Sequence, residues 1–363
     1  MWPGIRHRRW VSILASLAGA TFALAARGHG SSTTAIDRIA HPPLGLPVVP
    51  YPAGNPPTRE KIALGKKLFF DVRLSADSAQ SCGTCHKPSQ AFTDTDRPTP
   101  FAGDGKPLPR NAPTVINSAF VAPLMHDGGA PSLESQVLTP LFAANEMANP
   151  SINDFVARIA GLPDYQSRFE AAFDEPVSIA NIVKSIASYE RSLLSANSPF
   201  DRWHFAEVTD AMSPAAKAGF KLFIGKAGCV VCHTIARNNA LFTDHTYHNS
   251  GIGKLGVERS VGDRPADLGR EAVTHEAGDR FRYLTPSLRN VATTPPYMRD
   301  GSLPTLDAVV RFYNSGGAAN SGLDPLLHPL GLTEHEIAAL VTFLESLTGD
   351  GLAALEREAR EKP

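Results

Sequence analysis

The chain has 363 residues, enough for two domains of ordinary size. Its formal net charge of −1 and 20% charged residues leave no basic stripe or acidic tail and exclude a nucleic-acid partner. With 30 Pro and 29 Gly, long ordered loops between short helices are expected. The first element, residues 1–26, reads as an export signal: Arg6, Arg8 and Arg9 precede an uncharged apolar run from Val11 to Ala26, and Ala23-Leu24-Ala25 (or Leu24-Ala25-Ala26) supplies a small-x-small cleavage site. The run falls short of the roughly 20 residues that span a bilayer, so no stable membrane span is expected after cleavage, and the location implied is periplasmic.

Residues 27–57 are Gly/Ser/Pro-rich and read as an extended lead-in. Arg59 to Phe70 has helical spacing, with Ile62, Leu64, Leu68 and Phe69 apolar among charges. Asp71 to Gln80 is a loop that delivers Cys82-Gly83-Thr84-Cys85-His86, and Lys87 to Arg110 is a second, longer loop. Residues 152–173 and 179–194 read as two helices. Ser213-Pro214 is an N-cap followed by proline at the first helical position, opening a helix to about Ile224. Gly225 to Gly228 leads into Cys229-Val230-Val231-Cys232-His233. Leu241 to Arg282 is polar without clear periodicity. Thr333-Glu334-His335-Glu336 is a capping box, opening a helix with Ile337, Leu340, Val341 and Leu344 on one face. Residues 351–363 read as a tail.

The chain contains four Cys, which behind an export signal could form two disulfides. Each pair is instead Cys-x-x-Cys followed at once by His, the attachment motif of c-type haem. The thiols form thioethers to the haem vinyls and the adjacent His is placed to bind the iron. A single Cys-x-x-Cys would leave zinc and redox chemistry open; two copies with His favour two haem c groups.

The sequence also repeats. Pro113, Asn117, Pro123, Met125, Asp127, Gly128 and Leu133 recur 173 positions later as Pro286, Asn290, Pro296, Met298, Asp300, Gly301 and Leu306. Gly65, Leu68 and Phe69 echo Gly219, Leu222 and Phe223 at 154, and the cysteines repeat at 147. The pattern implies a mainly α fold of two tandem cytochrome c-like haem domains with long loops, 58–199 and 200–350.

Two Cys-x-x-Cys-His sites, Pro109 to Thr114, Asp127-Gly128, Gln136, Glu146-Met147, Leu288-Arg289-Asn290 and Pro296-Tyr297-Met298 together resemble the bacterial dihaem cytochrome c peroxidase and MauG superfamily, over roughly residues 58–348. The resemblance implies a peroxidatic haem in the N-terminal domain, an electron-transfer haem in the C-terminal domain and a calcium ion between them, at positions matching Asn111, Thr294 and Pro296; oxygen ligands suit that cation. His86 and His233 are the iron ligands.

Members that need reductive activation carry a distal His after the first motif, and here no His lies between His86 and His126. The resemblance therefore implies a permanently open first iron, as in MauG, with Gln136 and Glu146 at distal positions. A carboxylate there can take a proton from peroxide and return it to the departing oxygen. The sixth ligand of the second haem falls on Tyr313, with Met298 the alternative. The Trp usual before Asp-Gly is replaced by His126, which relays electrons or a proton or merely packs. The function implied is peroxide-dependent oxidation, with electrons from a small cytochrome c or cupredoxin or from side chains of a partner protein. The rival reading is a non-catalytic dihaem electron carrier.

Overall fold

The protein is described by a computed structural model covering Met1 and residues 34–101, 103, 105–252 and 267–361. The export-signal reading lies outside these residues apart from Met1. Two helix pairs organise the chain, and each forms for the same reason. In the first, Thr58 caps Arg59–Phe69 by accepting from the Lys61 amide, and the Ile62, Leu64, Leu68 and Phe69 side chains are buried against Ile179–Ser192. In the second, Ser213 caps Pro214–Ile224, which packs on Glu334–Glu345 behind the Thr333 capping box.

Both pairs close to backbone contact through a glycine. A Cβ on Gly65 would stand 1.9 Å from the Ser185 carbonyl oxygen, and one on Gly219 would stand 2.0 Å from that of Ala339. Gly65 to Gly219 and Ser185 to Ala339 are both 154 positions, so the repeat in the sequence is a repeat of helix packing.

The loops that follow the haem motifs repeat as well. Asn117 and Asn290 are both left-handed (φ 62° and 59°), as are Met125 and Met298 (71° and 73°) and Gly128 and Gly301 (72° and 64°). The Leu124–Ala130 bridge recurs as Tyr297–Leu303. Asn117 and Asn290 meet at Ser195: Ser195 N donates to Asn117 Oδ1 at 3.0 Å and its hydroxyl to Asn290 Oδ1 at 3.1 Å.

The buried apolar residues form two main clusters. One runs from Ile39 to Ala196 and includes Leu355. The other runs from Phe200 to Leu347, with Phe200, Phe220, Phe223, Phe242 and Phe343 in mutual ring contact at 4.9 to 6.4 Å. Each fully buried Phe contributes about 1.5–3 kcal/mol. The Arg289–Asp201 pair, with side chains 1% and 0% exposed, lies under this cluster. Its donors also reach Ala240 O and Gly45 O, which satisfies a charge that would otherwise be costly to bury.

Several details depart from the linear reading. The 152–173 stretch breaks at Gly161-Leu162 into Ile152–Ala160 and Pro163–Phe173, because Pro163 suits a first turn and not an interior. The lead-in contains a short helix, Ala35–Ala40. Leu352–Arg360 is also a helix, and Glu358 on it pairs with Arg38 at 2.7 Å. Helices Leu133–Phe142 and Leu306–Asn314 occupy ground the periodicity left unassigned. Among the described residues no helix is long and apolar enough to cross a membrane.

Candidate active site

The two Cys-x-x-Cys-His segments are short helical turns, Cys82–Cys85 and Cys229–Val231, each fed by the first helix of its pair. No disulfide joins the four cysteines. Burial pushes the thiols up, Cys82 furthest, with the Glu190 carboxyl adding to it, and Cys85 and Cys229 each to about 11.

The histidines are set alike. His86 Nδ1 donates to the Phe92 carbonyl at 3.2 Å, and His233 Nδ1 donates to the Phe242 carbonyl at 2.8 Å. That bond fixes the tautomer and leaves Nε2 as the ligand atom. Burial lowers both imidazole pKa values, which favours the neutral ring that an iron ligand must be. Phe92 and Phe242 are left-handed (φ 57° and 54°) and almost wholly buried. Such a backbone costs a bulky residue about 1–3 kcal/mol. Its occurrence at both sites aims the carbonyls at the imidazoles. The linear reading missed both Phe; a bulky residue six or nine positions past the His carries no signal until its φ is known.

One cavity gathers Cys82, Cys85 and His86 with Gln136, Pro140, Glu146 and Glu190. Gln136 and Pro140 lie on Leu133–Phe142, and Glu146 lies on the turn after it, where Met147 N bonds back to Pro140 O at 3.0 Å. Burial raises the Glu146 pKa. Gln136 Nε2 lies 4.0 Å from Met125 Sδ. Among the described residues lining this cavity, His86 is the only histidine. Glu190 was not singled out from the sequence. A larger cavity of about 260 Å³ beside Ala35, Ile62 and Leu355 holds neither motif.

Around the second motif, Tyr313 lies near Cys229 and Cys232, and burial pushes its phenol up to about 12. Cys232, Asp244 and His248 also converge, with His248 held by Asp244 at 2.9 Å and Asp324 at 2.6 Å. Because the Cys232 sulfur belongs to a haem motif, this group is not a separate metal centre.

His126, Asn111, Thr294 and Pro296 are not among the residues lining that cavity. His126 Nε2 donates to the Asn111 carbonyl at 3.0 Å. Asn111 Nδ2 meets the Pro98 and Pro296 carbonyls, each at 3.0 Å. The Thr294 hydroxyl donates to Val291 O at 3.2 Å.

Residues 59–209 match the family model described as di-haem cytochrome c peroxidase. The chain is 40% identical over 310 residues to the methylamine utilization protein MauG of Methylorubrum extorquens, covering 84% of this chain and 83% of that one. The chain belongs to the dihaem cytochrome c peroxidase and MauG family. This dihaem peroxidase is also 37% identical over 337 residues to cytochrome-c peroxidase IdrP1 of Denitromonas iodatirespirans, covering 85% of this chain and 86% of the relative. A solved MauG-like protein associated with microbial copper homeostasis superposes with a TM-score of 0.78 at 31% identity, over 88% of this chain and 98% of that one. The mainly helical fold, two haem c groups and a catalytic, peroxide-using role follow from membership, and the plain electron carrier falls away.

Proposed function

We propose that this dihaem peroxidase reduces hydrogen peroxide in the cavity beside Cys82, Cys85 and His86 without prior reductive activation, with electrons from a protein donor, the second haem being held by Cys229, Cys232 and His233. The observation that carries this reading is the first cavity, where Gln136 and Glu146 line the same space as the Cys82-Cys85-His86 motif and, among the described residues, His86 is the only lining histidine. When bound, haem iron supplies the one-electron chemistry and the Lewis acidity that weaken an O–O bond.

The chain's own residues do the rest. Cys82 and Cys85 would hold the first haem and Cys229 and Cys232 the second, with His86 and His233 as iron ligands oriented by their Nδ1 bonds. Glu146 would take a proton from one peroxide oxygen and return it to the oxygen that departs as water. Its raised pKa matches a group that must both accept and release a proton. Gln136 holds the peroxide by hydrogen bonding. Tyr313 is assigned as the sixth ligand of the second haem, a hard anionic donor that stabilises oxidised iron. Asn111, Thr294 and Pro296 are assigned to a calcium ion: two carbonyls already converge on the Asn111 amide, and turning its Oδ1 toward them makes an oxygen site suited to that ion.

We also infer two haem domains meeting near residue 200, export to the periplasm, and a small cytochrome c, a cupredoxin or partner side chains as donor. His126 is read as a hydrogen-bonded spacer between the halves.

Electron paramagnetic resonance of the resting ferric protein, followed by peroxide addition, tests this. A high-spin haem that reacts at once supports it. An all-low-spin spectrum that responds only after one-electron reduction overturns it. Turnover on reduced cytochrome c then separates a peroxidase from a maturase that oxidises protein side chains.

A further inference from the structure

The first cavity holds a second carboxyl group that the reaction as described leaves unused. Glu190 lies on Ile179–Ser192 and is 4% exposed. It lines the same cavity as Cys82, Gln136 and Glu146, and its Oε2 is buried without a hydrogen-bond partner. The neighbouring cation does not neutralise it. Arg191 turns to Glu134 with two bonds of 2.7 and 2.9 Å. A buried acid with no counter-ion is expensive unless it stays protonated.

The repeat isolates this feature. The glycine contacts align Ser185 with Ala339, 154 positions on, and the same offset aligns Tyr189 with Phe343 and Glu190 with Leu344. Leu344 is buried in the second core. The fold is thus satisfied by leucine at this place beside the second haem motif, and only the first cavity carries an acid there. A packing requirement does not explain the difference.

We propose that Glu190 is a second proton-carrying residue of the first cavity, a carboxylic acid that supplies protons for the reduction of peroxide. The proposal rests on the peroxidase reading. Overall, H2O2 + 2 H+ + 2 e− gives 2 H2O. The O–O bond breaks, two O–H bonds form, and the electrons come from the protein donor. Glu146 moves a proton that peroxide itself brings, so it adds none to the balance. Two further protons must enter before the oxygen retained in the site leaves as water. Glu190 hands over a proton as an electron arrives and is reprotonated from solvent. The ionisable groups around it are Arg191 and Tyr189 on its own helix, Glu134 on Leu133–Phe142 bonded to Arg191, the Cys82 thiol until it becomes a thioether, and Glu146 in the same cavity. Burial raises its pKa to about 8, consistent with a proton held at neutral pH.

The test compares the holoenzyme with Glu190→Gln, which keeps the shape, and Glu190→Leu, which installs the second domain's residue. Infrared spectra of the resting enzyme should contain a buried carboxylic acid C=O band that Glu190→Gln removes and Glu146→Gln leaves. After a stoichiometric peroxide pulse, the fast phase should match the unsubstituted enzyme. The return to the resting spectrum with ferrocyanide as donor should slow by about a hundredfold in both variants. A band that survives Glu190→Gln, or an unchanged return rate, overturns the proposal. No peroxide response in the unsubstituted holoenzyme overturns the peroxidase reading, and this proposal with it.

Discussion

His126 donates from Nε2 to the Asn111 carbonyl at 3.0 Å, joining the position where the family usually carries Trp to the residue assigned to calcium. Asn111 also accepts nothing on its amide nitrogens; they donate to Pro98 O and Pro296 O, and its backbone N donates to Arg299 O at 2.6 Å. If calcium binds here, EGTA should lower the melting temperature and Asn111→Ala should abolish that response. A chelator-insensitive wild type removes the calcium assignment. His126→Phe, which leaves the carbonyl without its donor, should cost about 1–3 kcal/mol in denaturant unfolding.

Glu146→Gln keeps the size of the side chain but cannot take a proton. The peroxide-driven spectral change in stopped flow should slow by about 10²–10⁴, with peroxide affinity little changed. Because burial raises the Glu146 pKa and the base form is the active one, the wild-type rate should fall at acid pH. The midpoint of that fall should lie above the ordinary carboxylate range and vanish in the variant.

Tyr313→Met should leave a six-coordinate second haem of higher potential, since a thioether favours reduced iron relative to a phenolate. Met298→Leu should leave both spectrum and potential unchanged. If Met298→Leu frees the axial site while Tyr313→Phe does nothing, the ligand assignment is reversed.

Gly65→Ala and Gly219→Ala drive a Cβ into the carbonyls of Ser185 and Ala339. Each should destabilise its own helix pair by about 1–3 kcal/mol. The damage should be regional: Gly65→Ala should broaden the spectrum of the first haem and Gly219→Ala that of the second. Equal perturbation of both haems by either change would contradict two separate helix-pair supports.

Glu190 makes stability fall as pH rises. Its pKa is raised from 4.5 to about 8 in the folded protein, so between these values the folded state holds a proton that the unfolded state has released. The stability it contributes is present at acid pH and is lost on the way up to about pH 8, with a slope of at most about 1.4 kcal/mol per pH unit. Glu190→Gln should remove that slope in guanidinium unfolding of the holoprotein between pH 5 and 8, a window taken from the same shift. Parallel pH profiles for the two proteins would show that Glu190 is ionised throughout.

The sequence by itself determined what depends on covalent chemistry and local spacing. Cys-x-x-Cys-His needs only adjacent residues to present two thiols and an imidazole. Ser213-Pro214 and Thr333 to Glu336 state helix starts through local hydrogen bonds, and Pro214–Ile224 and Glu334–Glu345 begin there. The repeat of 173 and 154 positions is likewise legible, because a glycine facing a carbonyl and an Asn at a left-handed turn leave residue types behind.

Tertiary structure alone decided which side chains share a cavity and how they are charged. Glu190 reads as one more polar residue on an amphipathic helix, yet packing turns it beside Cys82 and away from the cation next to it. Phe92 and Phe242 become the acceptors for His86 and His233 only through their backbone angles. Pairing, desolvation and positive φ are properties of the assembled chain, set by groups tens to hundreds of positions away, and no short window of sequence contains them.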